Sequence, residues 1–181
     1  MIRDEAFVKV KDYIPDVIVE LKYSTEDNFT GKVIYDFEDA YLRYGTVKKL
    51  ALVQEELKKR GYIMKIWDAF RPVEAQFKLW EVCPDDTFVA NPLTGYSSHS
   101  RGNTVDITIT TLNGEYIEMP TAFDDFSEQA KRTYMGVSEE GKKNSLFLER
   151  LMEKNGFDPY KNEWWHFSDK TEYPVEKDFG P

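Results

Sequence analysis

Residues 97–110 read SSHSRGNTVDITIT, and the change of character within them decides the fold. Up to Thr104 the residues are small and polar with a glycine among them, which is loop chemistry. From Val105 to Thr110 they alternate. Val105, Ile107 and Ile109 fall on one face of a strand, and Asp106 and Thr108 on the other. The loop carries His99, with six residues between it and Asp106.

Working outward, Asn113-Gly114 is the strongest hairpin signal in the chain, with Glu115–Met119 as the return strand. Upstream, Tyr62–Trp67 reads as a strand ending at Asp68, and Pro72 opens a helix to about Val82. Residues 84–104 are loop-like. Thr46 caps an earlier helix through Arg60, with Val47, Leu50, Ala51, Val53, Gln54 and Leu57 on its inner face and Gly61 as its stop. Phe7–Lys11 and Val17–Leu21 read as strands, and residues 23–45 as a long structured loop. Downstream, a helix from about Asn144 to Asn155 stops at Gly156, and Trp164–Phe167 makes a last short strand. The expectation is an α+β fold: one domain over residues 1–181, with helices flanking a mainly antiparallel central sheet.

Composition excludes several classes. The formal net charge of −9 argues against nucleic acid, which needs clustered Lys and Arg, and against an anionic membrane surface. No apolar run approaches the ~20 residues of a membrane span, and the charged N-terminus is not a signal peptide. With one cysteine, Cys83, no intrachain disulfide can form, which suits the cytosol. Cys83 reads as a packing residue. Oligomeric state is not readable.

The chain has two histidines, His99 and His166. His166 lies in EWWHF, three residues after Glu163. Zinc prefers imidazole nitrogen and carboxylate oxygen, and a catalytic zinc takes three protein ligands and leaves a position for water. His99, Asp106 and His166 supply such a set, and a Glu that is not a ligand can take a proton from the water. Spacing alone also allows a hydrogen-bonded structural His166 and an Asp106 that caps a turn. In a regular strand Glu163 and His166 point to opposite faces, so both can face one metal only if the chain bulges or turns at Trp164–Trp165.

The segments SSHSRGNTVDIT and EWWHF resemble the two metal motifs, S-x-H-x-x-G-x-x-x-D and E-x-x-H, of the VanX-type zinc D-alanyl-D-alanine dipeptidases. These belong to a wider zinc-peptidase group with D,D-carboxypeptidases and the hedgehog domain. KYSTEDNFTGKVIY (22–35) and IWDAFRP (66–72) are similar to two further blocks of the dipeptidase branch, and the matches span residues 22 to 167 in family order. The resemblance implies a hedgehog/D,D-peptidase-like fold with one zinc per chain on His99, Asp106 and His166. It implies hydrolysis of D-Ala-D-Ala by a zinc-bound water with Glu163 as base. Arg71 matches the oxyanion-stabilising residue, and Ser97, Tyr23 and Asp124 match substrate contacts. Asp68 could orient Arg71 or simply cap a helix. Tyr23 could be core, Ser97 a turn residue, and Asp125 contests the register of Asp124. The stretch between Cys83 and Ser97 is short for the family. The rivals are a D,D-carboxypeptidase or cell-wall endopeptidase of the same group, and a non-catalytic zinc-containing binding domain. Retained Glu163 and Arg71 argue against the last.

Overall fold

The computed structural model describes residues 2–86 and 89–181. Thr87 and Phe88, in the short stretch between Cys83 and Ser97, lie outside the described residues. Along the chain come β1 (Phe7–Lys9), β2 (Ile18–Val19), β3 (Tyr41–Arg43), α1 (Tyr44–Lys58), β4 (Tyr62–Asp68), α2 (Val73–Val82), β5 (Thr104–Thr111), α3 (Glu139–Lys154), β6 (Phe157–Pro159) and β7 (His166–Asp169). Five strands form one sheet in the order β2-β4-β5-β7-β6. Only the β2–β4 pairing is parallel, and β1 pairs with β3 outside this sheet. The α+β class and the mainly antiparallel sheet are as expected from the alternation.

β5 runs through the middle of that sheet. Val105 and Ile107 are fully buried in the core, and Asp106, Thr108 and Thr110 on the polar row are buried as well. The polar row is therefore covered, which makes the acid on it chemically notable. α1 contributes Val47, Leu50, Val53 and Leu57 to the core, all fully buried.

Several boundaries differ from the sequence reading, each for a physical reason. α1 starts at Tyr44, and Arg43 precedes it without a side-chain cap. Thr46 sits inside the helix, where its hydroxyl donates to Asp169 Oδ2 at 2.8 Å. α3 starts at Glu139, because Ser138 Oγ accepts from Gly141 N at 3.0 Å and Glu139 and Glu140 suit the positive helix N-terminus. Its polar first turn has no apolar stripe to read. The Asn113-Gly114 turn forms, but its return strand shrinks to a single bridge between Thr110 and Tyr116. Tyr116 is 78% exposed, so a longer ladder there would bury little. β3 and β6 are too short to carry a period.

Candidate active site

A row of three residues crosses the sheet where β4, β5 and β7 meet. Asp106 on β5 pairs with Asp68 on β4 and with His166 on β7. Directly paired residues share a face. Asp68 reaches that face only through an irregularity. Ile66 pairs with Ile107, yet Asp68, two residues on, pairs with Asp106, only one residue back along the antiparallel partner. The extra residue, Trp67, is a β-bulge, and it turns Asp68 away from the face of Ile66.

His99 comes from the neighbouring loop, on a 3-10 turn spanning Ser98–Arg101. Ser97 Oγ accepts from His99 N at the start of the turn, and Gly102 ends it in the left-handed region at φ 74°. A Cβ on Gly102 would stand 2.5 Å from the Phe7 ring, so glycine is required there twice over. The turn is braced from behind by the C-terminal segment. Glu176 N donates to Ser100 O at 2.8 Å, and Arg101 Nη1 donates to Tyr173 O at 2.7 Å. Phe179 stacks on Phe7 at 4.3 Å. Arg43 ties the ends together by donating to Glu5 O, Arg101 O and Pro174 O.

The ligand atoms converge. His99 Nδ1 lies 2.8 Å from Ala69 O, so it carries the proton, and Nε2 is left with its lone pair. Nε2 is 3.3 Å from Asp106 Oδ2, and His166 Nδ1 is 3.0 Å from Asp106 Oδ1. One atom from each of the three residues lies within 4.8 Å of the others. Tetrahedral ligands at about 2.0–2.2 Å stand about 3.3–3.6 Å apart, so the set fits a small divalent ion such as zinc. Asp106 Oδ1 has no hydrogen-bond partner despite the short approach of His166. A buried carboxylate oxygen left so is costly, and a cation between these groups would satisfy it. Burial opposes ionisation of Asp106, but the His99 and His166 imidazoles hold its carboxyl well below the usual range. Burial lowers the His99 pKa, but Asp106 and Asp68 outweigh it and raise it.

Glu163 and His166 share a side because the chain turns between them. β7 begins only at His166, not at Trp164, and His166 N donates back to Glu163 O at 3.4 Å. Trp164 and Trp165 are both fully buried and hold the turn. Glu163 Oε2 then stands 3.4 Å from His166 Nδ1. Burial, opposed by His166 and aided by Asp106 and Asp124, pushes the Glu163 carboxyl up to about 7.

Arg71 follows β4 and is buried, although it lines the cleft. Its Nη2 and Nε donate to Asp68 Oδ2 at 2.6 and 3.2 Å. Asp68, with no side-chain exposure, also accepts from Tyr35 Oη and from Ala69 N. It is thus a buried anchor for the guanidinium. Tyr23 Oη donates to Asp124 Oδ2 at 2.7 Å. Burial drives the Asp124 carboxyl up to about 7, with the Tyr23 hydrogen bond pulling the other way. Asp125 instead accepts from Ser127 N in a local turn, so the cleft takes Asp124. Ser97, Tyr23, Arg71, Asp124, Glu163 and the three metal-binding candidates all line one cleft of about 440 Å³.

The sequence reading missed the residues that hold these in place. Tyr35 and Gln76 bond Arg71, Tyr160 packs its ring on His166 at 5.4 Å, and Ser98 Oγ lies 3.4 Å from His166 Nε2. Their partners are distant in sequence or irregularly spaced, so no period announces them.

A fold of this kind, with imidazole and carboxylate donors beside a separate glutamate, defines a metallohydrolase-like site. Residues 3–179 match the family model for the D-ala-D-ala dipeptidases of the Peptidase_M15 group. The chain belongs to that family and is a hydrolase of it. The D-alanyl-D-alanine dipeptidase of Escherichia coli (strain K12) is 35% identical over 91% of this chain and 86% of its own length. That of Enterococcus faecalis (strain ATCC 700802 / V583) is 32% identical over 91% of each. Among solved structures, a vancomycin-resistance D,D-pentapeptidase aligns over 84% of this chain and 78% of its own, at 16% identity and a TM-score of 0.48.

Proposed function

We propose that the chain, as one domain over residues 1–181, hydrolyses D-Ala-D-Ala in the cytoplasm with one zinc ion held by His99, Asp106 and His166. The observation that carries this is the converging donor set with a fourth group, Glu163, beside it. Zinc bound there would supply Lewis acidity and lower the pKa of water towards ~7. The protein's own groups do the rest. Glu163 takes the proton of the attacking water on Oε2 and hands it to the departing amine. Burial raises this carboxyl above the ordinary range, which suits a group that both takes and returns a proton. Arg71 meets the negative charge that develops on the carbonyl oxygen, and Asp68 holds it pointed there. Asp124, oriented by Tyr23, receives the substrate ammonium, and Ser97 lines the same cleft. The lone Cys83 and a free dipeptide substrate fit a cytoplasmic enzyme. Among the described residues no helix is long and apolar enough to cross a membrane.

The test is kcat/KM on D-Ala-D-Ala, N-acetyl-D-Ala-D-Ala and a tripeptide ending in the same pair, with and without a chelator. The free dipeptide should be cleaved far faster, and only without chelator. Equal rates on free and acetylated dipeptide would promote the carboxypeptidase reading. No turnover of any of them would favour a binding domain.

A further inference from the structure

Gln76 stands one turn into α2 and is 2% exposed. Its side chain bonds at both ends. Arg71 Nη1 donates to Gln76 Oε1 at 2.7 Å, and Gln76 Nε2 donates to Ala90 O at 2.8 Å. The orientation of this amide is forced. A guanidinium can only donate and a carbonyl oxygen can only accept, so a flipped amide would break both bonds. Asp68 holds the Nε and Nη2 side of the guanidinium. Gln76 holds the other side, through Nη1. Ala90 and its neighbour Val89 line the cleft, and Val89 is buried. Val89 N donates to Asp85 O and Gly95 N to Asn91 O, bonds that stay local to the rim.

We propose that Gln76 is a positioning residue that couples Arg71 to the rim of the cleft at Ala90. The Oε1 end of its amide sets the aim of the guanidinium, and the Nε2 end seats the rim. This rests on the oxyanion reading of Arg71. Among the described residues three of the five Arg71 N–H groups are bonded, which leaves one hydrogen on Nη1 and one on Nη2 for a ligand. The Gln76 bond fixes where the Nη1 hydrogen points. A substrate that seats against the rim therefore meets a guanidinium already aimed.

Two substitutions separate the two ends of the amide. Gln76→Met keeps the length and removes both bonds. Gln76→Glu keeps an acceptor for Arg71 Nη1 and removes the donor to Ala90 O. Gln76→Met should lower kcat on D-Ala-D-Ala about 10- to 100-fold, the usual effect of a misplaced reacting group. Gln76→Glu should hold kcat within about 3-fold and raise KM about 3- to 10-fold, the effect of one lost hydrogen bond. Limited proteolysis should cut within residues 84–96 faster in both variants than in the wild type. Wild-type kcat in Gln76→Met, or equal kcat loss in the two variants, overturns this division of roles. Arg71→Ala, assayed beside them, keeps the two readings apart: full kcat there sinks the oxyanion role, whereas loss there with wild-type Gln76→Met overturns Gln76 alone. If Gln76→Met fails to fold by thermal melt, the kcat-against-KM split of Gln76→Glu decides the matter alone.

Discussion

Asp124→Asn makes the sharpest demand on the site, because function and stability should move in opposite directions. Asp124 has φ 52°, in the left-handed region. Asparagine tolerates that backbone and alanine does not, so Asn removes the charge without adding strain. Tyr23 can still donate to the amide oxygen. Removing one partner of a buried, hydrogen-bonded charge pair costs about 2–5 kcal/mol. kcat/KM for free D-Ala-D-Ala should thus fall about 30-fold or more, while the slow rate on the acetylated dipeptide stays level or rises. Stability should rise instead. The folded carboxyl sits at about 7 against an ordinary 3.8. A carboxyl with a raised folded pKa penalises folding as pH climbs above the unfolded value, and the penalty levels off above the folded one. At 1.36 kcal/mol per unit the ceiling is about 4 kcal/mol. Water in the cleft reduces it, and about 1–2 kcal/mol is expected, or about 2–8 °C in Tm for a chain of this size. The assay is thermal unfolding of metal-free wild type and Asp124→Asn at pH 5 and pH 8. The gain should be larger at pH 8. An equal shift at both pH values would refute the buried-carboxyl argument, and unchanged dipeptide kcat/KM would refute the ammonium site.

Glu163→Gln should retain zinc and lose about 100- to 10,000-fold in kcat; near-normal turnover removes it as the base. Arg71→Ala should lower kcat more than it raises KM, and Arg71→Lys should rescue only partly, since a compact ammonium lacks the planar fork that bonds Asp68 and Gln76 from separate nitrogens. A pure KM effect would make Arg71 a carboxylate binder. His99→Ala and His166→Ala should each abolish stoichiometric zinc in the purified protein, and full occupancy in either would break the ligand assignment. On the acid side, log(kcat/KM) should fall as pH drops with a limiting slope near 2, because Asp124 must be ionised to receive the ammonium and Glu163 to take the proton. The slope should drop to 1 in Asp124→Asn, and a wild-type slope of 1 would mean that only one of them matters.

The readable parts of this site were those written in local periods. The alternation in Val105–Thr110 gave β5 and set Asp106 apart, and Pro72 marked the start of α2. Strand geometry required a break at Trp164–Trp165 if Glu163 and His166 were to meet, and the chain turns there. What stayed hidden depends on contacts far along the chain. Thr46 looks like a cap, but its hydroxyl is claimed by Asp169, 123 residues away. Asp68 comes opposite Asp106 through a bulge at Trp67 that the seven-residue strand does not announce. Tyr35 meets Asp68 across 33 residues, and Gln76 takes its meaning from Ala90 and Arg71 together.

The brace behind the Ser98–Arg101 turn has a consequence for how the protein is made. A ribosome delivers His99 and Asp106 well before the segment that includes Tyr173, Glu176 and Phe179. At about 5–20 residues per second, roughly 4–16 s separate His99 from Phe179. During that interval Ser100 O and Arg101 have none of their later partners, and His166 has yet to join the triad or has only just emerged. Two donors on a turn held only from its N-terminal side, by Arg43 and Arg71, make half a site. On the proposed ligand assignment, metal capture waits until His166 and the bracing segment Tyr173–Phe179 have been made.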